Sequence, residues 1–390
     1  MDALLRKYQC KLEQAGLVEP GSALLAELND ELAWSRPDGL QEFFRPLFER
    51  LAINSFVFIR PSEPYRLALD ELCAGAGDAL RPQDCETRTF LHDIPLVPAG
   101  DFEALASALS GRKGAVIRGV GVAAPGAVSL EQGFVTVSSI LFASFVKIFS
   151  DALVRQRTGT LDDARRRVLE RIVRLSPPPP SRAPKLAEGP FGDEISARAA
   201  MIEAGREVVR LGLVDSYFGN ISCLADGVVH ISQTGSSLDE LAGVIDPCPL
   251  DDSSCAGLTA SSELTAHLGI YDCGEAAVIL HGHPRFGVVL SMDCEREDCP
   301  ERGRCFAHCP EQRFAAGVPV VPGEVGTGPT GLCHTLPPAL AHHAGAMVLG
   351  HGVFTTGRQD FNEAFRTLLD IERASREEVL RRLGLGRGRS

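Results

Sequence analysis

The chain has 390 residues, 44% apolar and 23% charged, with 39 Gly and 25 Pro, a mixture that excludes wholesale disorder, collagen and coiled coil. Lys and Arg number 39 against 51 Asp and Glu, and the net charge of −12 leaves no global electrostatic footprint for nucleic acid or an anionic membrane. At ~100–200 residues per domain the length suggests two domains and allows three.

In chain order, Met1–Lys7 lacks the basic-then-apolar build of a signal peptide. The longest uncharged apolar stretch, Gln132–Val146, has 15 residues. That is short of the ~20 a bilayer span needs, so it predicts a buried helix. A cytoplasmic protein is the expectation, with its 12 cysteines as thiols or metal ligands rather than disulfides. Asp162–Leu175 predicts an Arg-rich helix with Val168, Leu169, Ile172, Val173 and Leu175 on one face. The run Ser176-Pro177-Pro178-Pro179-Pro180-Ser181 opens a proline-rich linker that extends over 176–192. It separates a domain over 1–175 from one over 193–390. In the second domain, Ile195–Leu213, Ser261–Tyr271 and Phe361–Leu383 predict helices. Val228–Ser232, Ala276–Leu280 and Ala346–Leu349 predict strands. The mixed order predicts a layered α/β domain.

The two halves echo each other. Gly114–Val122 matches Gly345–Val353, Ile94–Pro98 matches Val318–Pro322, and Val57–Ile59 resembles Val278–Leu280. The first half therefore reads as a degenerate, partial copy of the second.

Five segments carry chemistry. His281-Gly282-His283 follows an apolar strand directly. Residues i and i+2 of an extended segment point the same way, so the two imidazoles form a natural ligand pair or a pair of surface histidines in a turn. His351 sits between Gly350 and Gly352 after another apolar strand, and three His with an open position suit a catalytic zinc. His267, His308, His334, His342 and His343 compete for that role. Ser261-Ser262-Glu263 stands at a helix start, where it reads as a plain N-cap or as an anion grip. Phe218–Ser222 and Thr234–Ser237 read as small-residue loops whose backbone N–H groups could converge on an anion.

The order Gly-Asn-x-Ser, Thr-Gly, Ser-Ser-Glu, His-x-His, Gly-His-Gly resembles the class II aldolase/adducin family over about 193–383, with fuculose phosphate aldolase as the nearest catalytic type. The resemblance implies a three-layer α/β/α fold with a central, mainly antiparallel sheet. It implies a divalent metal, usually zinc, on His281, His283 and His351. Glu263 would be the acid/base residue and a ligand when no substrate is bound. Gly219, Asn220, Thr234, Gly235, Ser261 and Ser262 fall where the family grips the substrate phosphate. The implied activity is a lyase of aldolase type in carbohydrate metabolism, acting on a phosphorylated sugar or related carbonyl compound through a metal-stabilised enediolate. Family epimerases tend to carry Asp at the Glu263 position. A dehydratase or epimerase is the alternative, and a non-catalytic adducin-like scaffold is the alternative of another class. The family's four-fold tetramers imply a homo-oligomer here, either a tetramer or a dimer that mimics one.

Two departures stand out. Arg60, Ser62 and Val120 are expected where His281, His283 and His351 stand, so the first half is expected to bind no metal. The cluster Cys294, Cys299, Cys305 and Cys309 falls within sixteen residues of a charged loop, and could hold a second, structural zinc or an iron–sulfur cluster, or no metal.

Overall fold

The computed structural model describes residues 3–386 apart from 215–216, 252, 255–256 and 297. The chain divides into two compact units, Met1–Pro177 and Pro178–Ser390.

The first unit contains α1 (Ala3–Gln14), β1 (Leu24–Leu28), β2 (Leu32–Trp34), α2 (Gln41–Phe44), α3 (Leu47–Arg50), β3 (Ser55–Ile59) and α4 (Tyr65–Ala74). It continues with β4 (Ala79–Leu80), β5 (Ile94–Val97), α5 (Phe102–Gly111), β6 (Ala115–Ile117), β7 (Gly121–Gly126), α6 (Leu130–Arg157) and α7 (Asp163–Leu175). Helix α6 is nearly twice the length of the apolar run that predicts it. By length and composition it could cross a bilayer, but 78% of its most apolar window is buried inside the protein. Thr136, Ser138, Ser139 and Ser144 are buried along it, and Ser144 Oγ donates to the Ile140 carbonyl. Thr136 Oγ1 likewise donates to the Gln132 carbonyl, so these two hydroxyls are satisfied within the helix, as in a core helix.

The second unit contains α8 (Glu194–Arg210), β8 (Asn220–Ala225), β9 (Val228–Ser232), β10 (Ile245–Pro249), α9 (Leu264–Cys273), β11 (Val278–Gly282) and α10 (Arg285–Met292). It ends with β12 (Arg313–Ala315), β13 (Val318–Val321), α11 (Leu332–Leu340), β14 (Gly345–Val348), β15 (Gly352–Gly357) and α12 (Phe361–Leu383). Its eight strands run in the order β10-β9-β8-β11-β15-β14-β13-β12. Every pair is antiparallel except β13 with β14.

Alternation along each strand sends side chains to two separate cores. Ile221, Cys223, Val278 and Leu280 join Met201 of α8 and Phe365 of α12 on one face. Ile231, Ile279 and Phe354 join Ile270 of α9 and Leu336 of α11 on the other. A sheet covered on both faces makes three layers, as the motif pattern implies.

Strand order in the first unit is β2-β1-β3-β7-β6-β5-β4, and its one parallel pair is β5 with β6. Counted along the chain, this is the second unit's order without β10. The crossing into the last long helix also repeats. A Cβ on Gly126 would lie 2.1 Å from the Ser129 carbonyl oxygen, and one on Gly357 would lie 2.2 Å from that of Asp360.

Three sequence expectations change. Asn220–Ala225 is strand β8, so the loop expected over Phe218–Ser222 ends at Gly219. Helix α9 begins at Leu264, three residues later than expected, with Glu263 at its N-cap. The proline-rich linker does not run free to its end. Leu186 is buried, its N–H donates to Asn362 Oδ1 at 2.8 Å, and Gly189 N–H donates to Asp360 Oδ2 at 3.2 Å. The segment from Leu186 therefore packs against the start of α12.

Candidate metal centre

Strand β11 carries His281 toward the α9 face and ends at Gly282, so His283 follows at once. His351 stands in the tight connection between β14 and β15, beside Gly350 at φ +66°. These two strand ends are adjacent because Gly282 pairs with Val353. All three imidazoles are buried, and one ring nitrogen from each lies within 4.8 Å of the others.

Glu263 comes from the opposite layer. Its Oε2 lies 3.7 Å from His281 Nε2 and its Oε1 lies 3.6 Å from His351 Nε2. An N-cap residue usually turns its side chain back onto its own helix. Glu263 does not, and Ser261 Oγ instead accepts from the Glu263 N–H at 3.3 Å. The carboxylate is thereby left to face the histidines.

The donor set fits a divalent metal. His281 Nδ1 lies 3.2 Å from the Val353 carbonyl oxygen, which only an N–H can satisfy, so its Nε2 carries a lone pair. His281 Nε2 and His283 Nε2 are 3.1 Å apart. Two nitrogens on a tetrahedral zinc would stand about 3.3 Å from each other. Burial pushes the His281 imidazole down to about 3 and the His283 imidazole well below its ordinary value. Both rings are neutral at pH 7, the form a metal requires.

The turn that carries His283 into α10 is clamped from α12. Glu372 is buried and accepts from the N–H groups of Phe286 at 3.2 Å and Gly287 at 2.8 Å. Burial pushes its carboxyl up from 4.5 to about 7. The folded protein therefore keeps this proton to a higher pH than the unfolded chain does. The stabilisation is complete below about pH 4.5 and is lost as pH rises through about 7. Between those limits the wild type should lose ~3 kcal/mol of stability relative to Glu372→Gln. Urea unfolding of both proteins at the two limits checks this, and parallel changes in the two would contradict it.

The expected phosphate-binding residues gather at the same edge of the sheet. Gly219 stands at φ +91°, and a Cβ there would lie 2.6 Å from the His281 carbonyl oxygen. Thr234 Oγ1 donates to the Ala260 carbonyl at 3.0 Å, and Gly235 follows at φ +72°. Ser261 N–H donates to the Ser232 carbonyl at 3.0 Å, and Ser262 is exposed beside it. Asn220 differs from the rest. Its Nδ2 donates to Glu263 Oε2 at 2.6 Å and its Oδ1 lies 2.6 Å from His267 Nε2, so its side chain is committed at both ends.

His267, a competing ligand by sequence, thus belongs behind Glu263 and not on the metal. Ser222 and Tyr271 extend the same chain, and neither was singled out for it. The available signal was spacing: Glu263, His267 and Tyr271 fall at i, i+4 and i+8, and Asn220 and Ser222 at i and i+2.

The loop cysteines Cys294, Cys299, Cys305 and Cys309 are partly buried free thiols between α10 and β12. Among the described residues, the three histidines form the group whose donors lie within 4.8 Å of one another, and the cysteines form no such group.

Sheet register corrects the expected correspondence in the first unit. Phe58 pairs with Ala123 and Leu24 as His281 pairs with Phe354 and Asn220. Phe58 therefore stands at the His281 position, where Arg60 was expected. Counting on two residues puts Arg60, in place of Ser62, at the His283 position. Val120, before Gly121, matches His351, before Gly352. Leu24 and Ala26 take the places of Asn220 and Ser222. All are apolar except Arg60, and Phe44 packs on Phe58 with ring centres 4.9 Å apart.

Residues 199–379 match the family model described as class II aldolase and adducin N-terminal domain. No curated protein matches the chain. Among solved structures, L-fuculose-1-phosphate aldolase from Thermus thermophilus is 22% identical, over 50% of this chain and 100% of that one, at a TM-score of 0.40. A second L-fuculose 1-phosphate aldolase is 21% identical over 49% and 88%, at 0.40. A sugar-phosphate aldolase from Thermotoga maritima is 21% identical over 50% and 97%, at 0.36.

Proposed function

Because residues 199–379 place this chain in the class II aldolase and adducin family, we propose that its C-terminal unit is a metal-dependent lyase for a small phosphorylated carbonyl compound. One observation carries the proposal: three buried imidazoles converge, and a buried carboxylate stands 3.6–3.7 Å from two of them. Three buried ring nitrogens converging on one place, with the His281 Nε2 lone pair among them, are costly without a ligand. A scaffold has no physical need of them, and the first unit shows apolar packing at two of the same register positions.

His281, His283 and His351 would hold a divalent metal, zinc by donor type, with Glu263 completing the set when no substrate is bound. The metal would supply Lewis-acid polarisation of a substrate oxygen. Glu263 moves the proton, since it is the acid/base group aimed into the centre. Gly235, Ser261, Ser262 and Gly219 hold the phosphate with hydroxyl and N–H donors, and Thr234, whose hydroxyl donates to the Ala260 carbonyl, holds their loop in place. Binding energy at that distant group keeps the reacting carbon in register. Dehydration or epimerisation of a similar phosphate would use the same centre. The glutamate at 263, where the family's epimerases tend to carry Asp, favours aldolase or dehydratase chemistry over epimerisation.

We read the first unit as a degenerate, non-catalytic copy, a reading supported by its strand order and register. The family resemblance supports a homo-oligomer, as a tetramer or as a dimer of such double units.

The test is proton exchange. The zinc-loaded chain in deuterium oxide is offered a panel of small ketose phosphates. Deuterium should enter beside the carbonyl of at least one of them. No exchange with any, at full zinc occupancy, would favour the scaffold.

A further inference from the structure

Behind Glu263 lies a continuous buried chain of polar groups. Asn220 Nδ2 is 2.6 Å from Glu263 Oε2, and Asn220 Oδ1 is 2.6 Å from His267 Nε2. His267 Nδ1 is 2.7 Å from Ser222 Oγ, which is 2.7 Å from Tyr271 Oη. All five residues are buried, in the layer between β8 and α9.

Hydrogen-bond chemistry allows this chain one direction. An ionised carboxylate only accepts, so Asn220 must present its amide N–H to Glu263. Its carbonyl then faces His267, whose Nε2 must carry a proton. A neutral ring with that proton has only a lone pair at Nδ1, so Ser222 must donate to it. Ser222 Oγ then accepts from the Tyr271 hydroxyl, the terminal donor. Burial pushes the His267 imidazole down to about 3 and the Tyr271 phenol well above its ordinary value. Neutral His267 and protonated Tyr271 are the two states that the direction requires.

We propose that Ser222 and His267 are positioning residues that act through Asn220, with Tyr271 only the terminal donor of the chain, locking Glu263 Oε2 in place and leaving Oε1 as the oxygen that exchanges a proton. The catalytic consequence rests on the reading of Glu263 given above, whereas the relay itself does not. Its physical role is to remove the rotational freedom of a carboxylate that does not cap its own helix. Outer partners of this kind typically change metal affinity 10–100-fold when removed.

Two readouts test it on the full chain. The first is nitrogen-15 NMR of the histidine rings from pH 5 to 8, which reads the tautomer directly. His267 should be neutral and protonated at Nε2 throughout. A ring protonated at Nδ1, or one that titrates in that range, would overturn the relay. The second is the zinc dissociation constant from competition with a chelating dye. Ser222→Ala should weaken zinc about tenfold, because His267 loses the donor that fixes its tautomer. Tyr271→Phe should change it less than about threefold, because the Ser222 hydroxyl can still donate. An unchanged His267 tautomer and an unchanged constant in Ser222→Ala would also overturn the proposal. A wild type that binds no zinc would refute the metal reading, and the tautomer would then decide the relay alone.

Discussion

Replacing Glu263 by glutamine is expected to slow substrate proton exchange about 10³-fold while the protein still folds and still binds zinc. The amide keeps the size of the side chain, and its oxygen can still accept from Asn220 Nδ2, which donates to Oε2 at 2.6 Å. What disappears is an oxygen able to take and return a proton. The three histidines stay in place because none depends on Glu263 for its backbone position: two lie on β11 and its extension, one in the β14–β15 connection. Exchange rates for the wild type and Glu263→Gln at matched zinc occupancy check this. A variant within tenfold of the wild type would remove Glu263 from the proton-transfer role.

The second large effect comes from a glycine. A Cβ on Gly352 would lie 2.5 Å from the Gly282 carbonyl oxygen, 2.6 Å from His281 Cε1 and 2.8 Å from His283 Cδ2. Two of these neighbours are the expected ligands, and the third is the backbone between them. Gly352→Ala is therefore expected to spread the imidazoles and lower zinc affinity at least ~100-fold. Overpacking of this kind also costs about 1–3 kcal/mol of stability. Gly121 provides the control. It starts β7 as Gly352 starts β15, and a Cβ there would lie 2.2 Å from the Ile59 carbonyl oxygen and 2.8 Å from the Phe58 ring. Gly121→Ala should cost comparable stability and leave zinc affinity untouched. Equal zinc affinities in the two variants would contradict the placement of the centre.

Legibility differed from element to element for physical reasons. His281 on β11 and His283 just past its end could be read as a pair because a period of two along extended backbone gives them a common direction. Helix α12 and strand β9 could be read because their patterns are long or alternating, and their bounds match the expectation. Strand β8 was hidden because it opens on Asn220 directly after Gly219, residues that usually mark a turn. The first-unit correspondence slipped by two residues because β3 is buried at every position, so no alternation sets its phase. The relay was hidden for another reason. Its spacing is visible on each element, but only the topology tells that β8 faces α9. The linker was half legible: proline explains its start, whereas Leu186 reaching the core is a tertiary fact.

The most direct test of the central claim is the metal content of the purified chain, measured for the wild type beside His283→Ala and Cys299→Ala. The account predicts a divalent metal that disappears with His283→Ala while that site stays filled in Cys299→Ala. Metal content unchanged by His283→Ala would contradict a catalytic centre at these histidines, and the family's fold would then serve this chain as a scaffold.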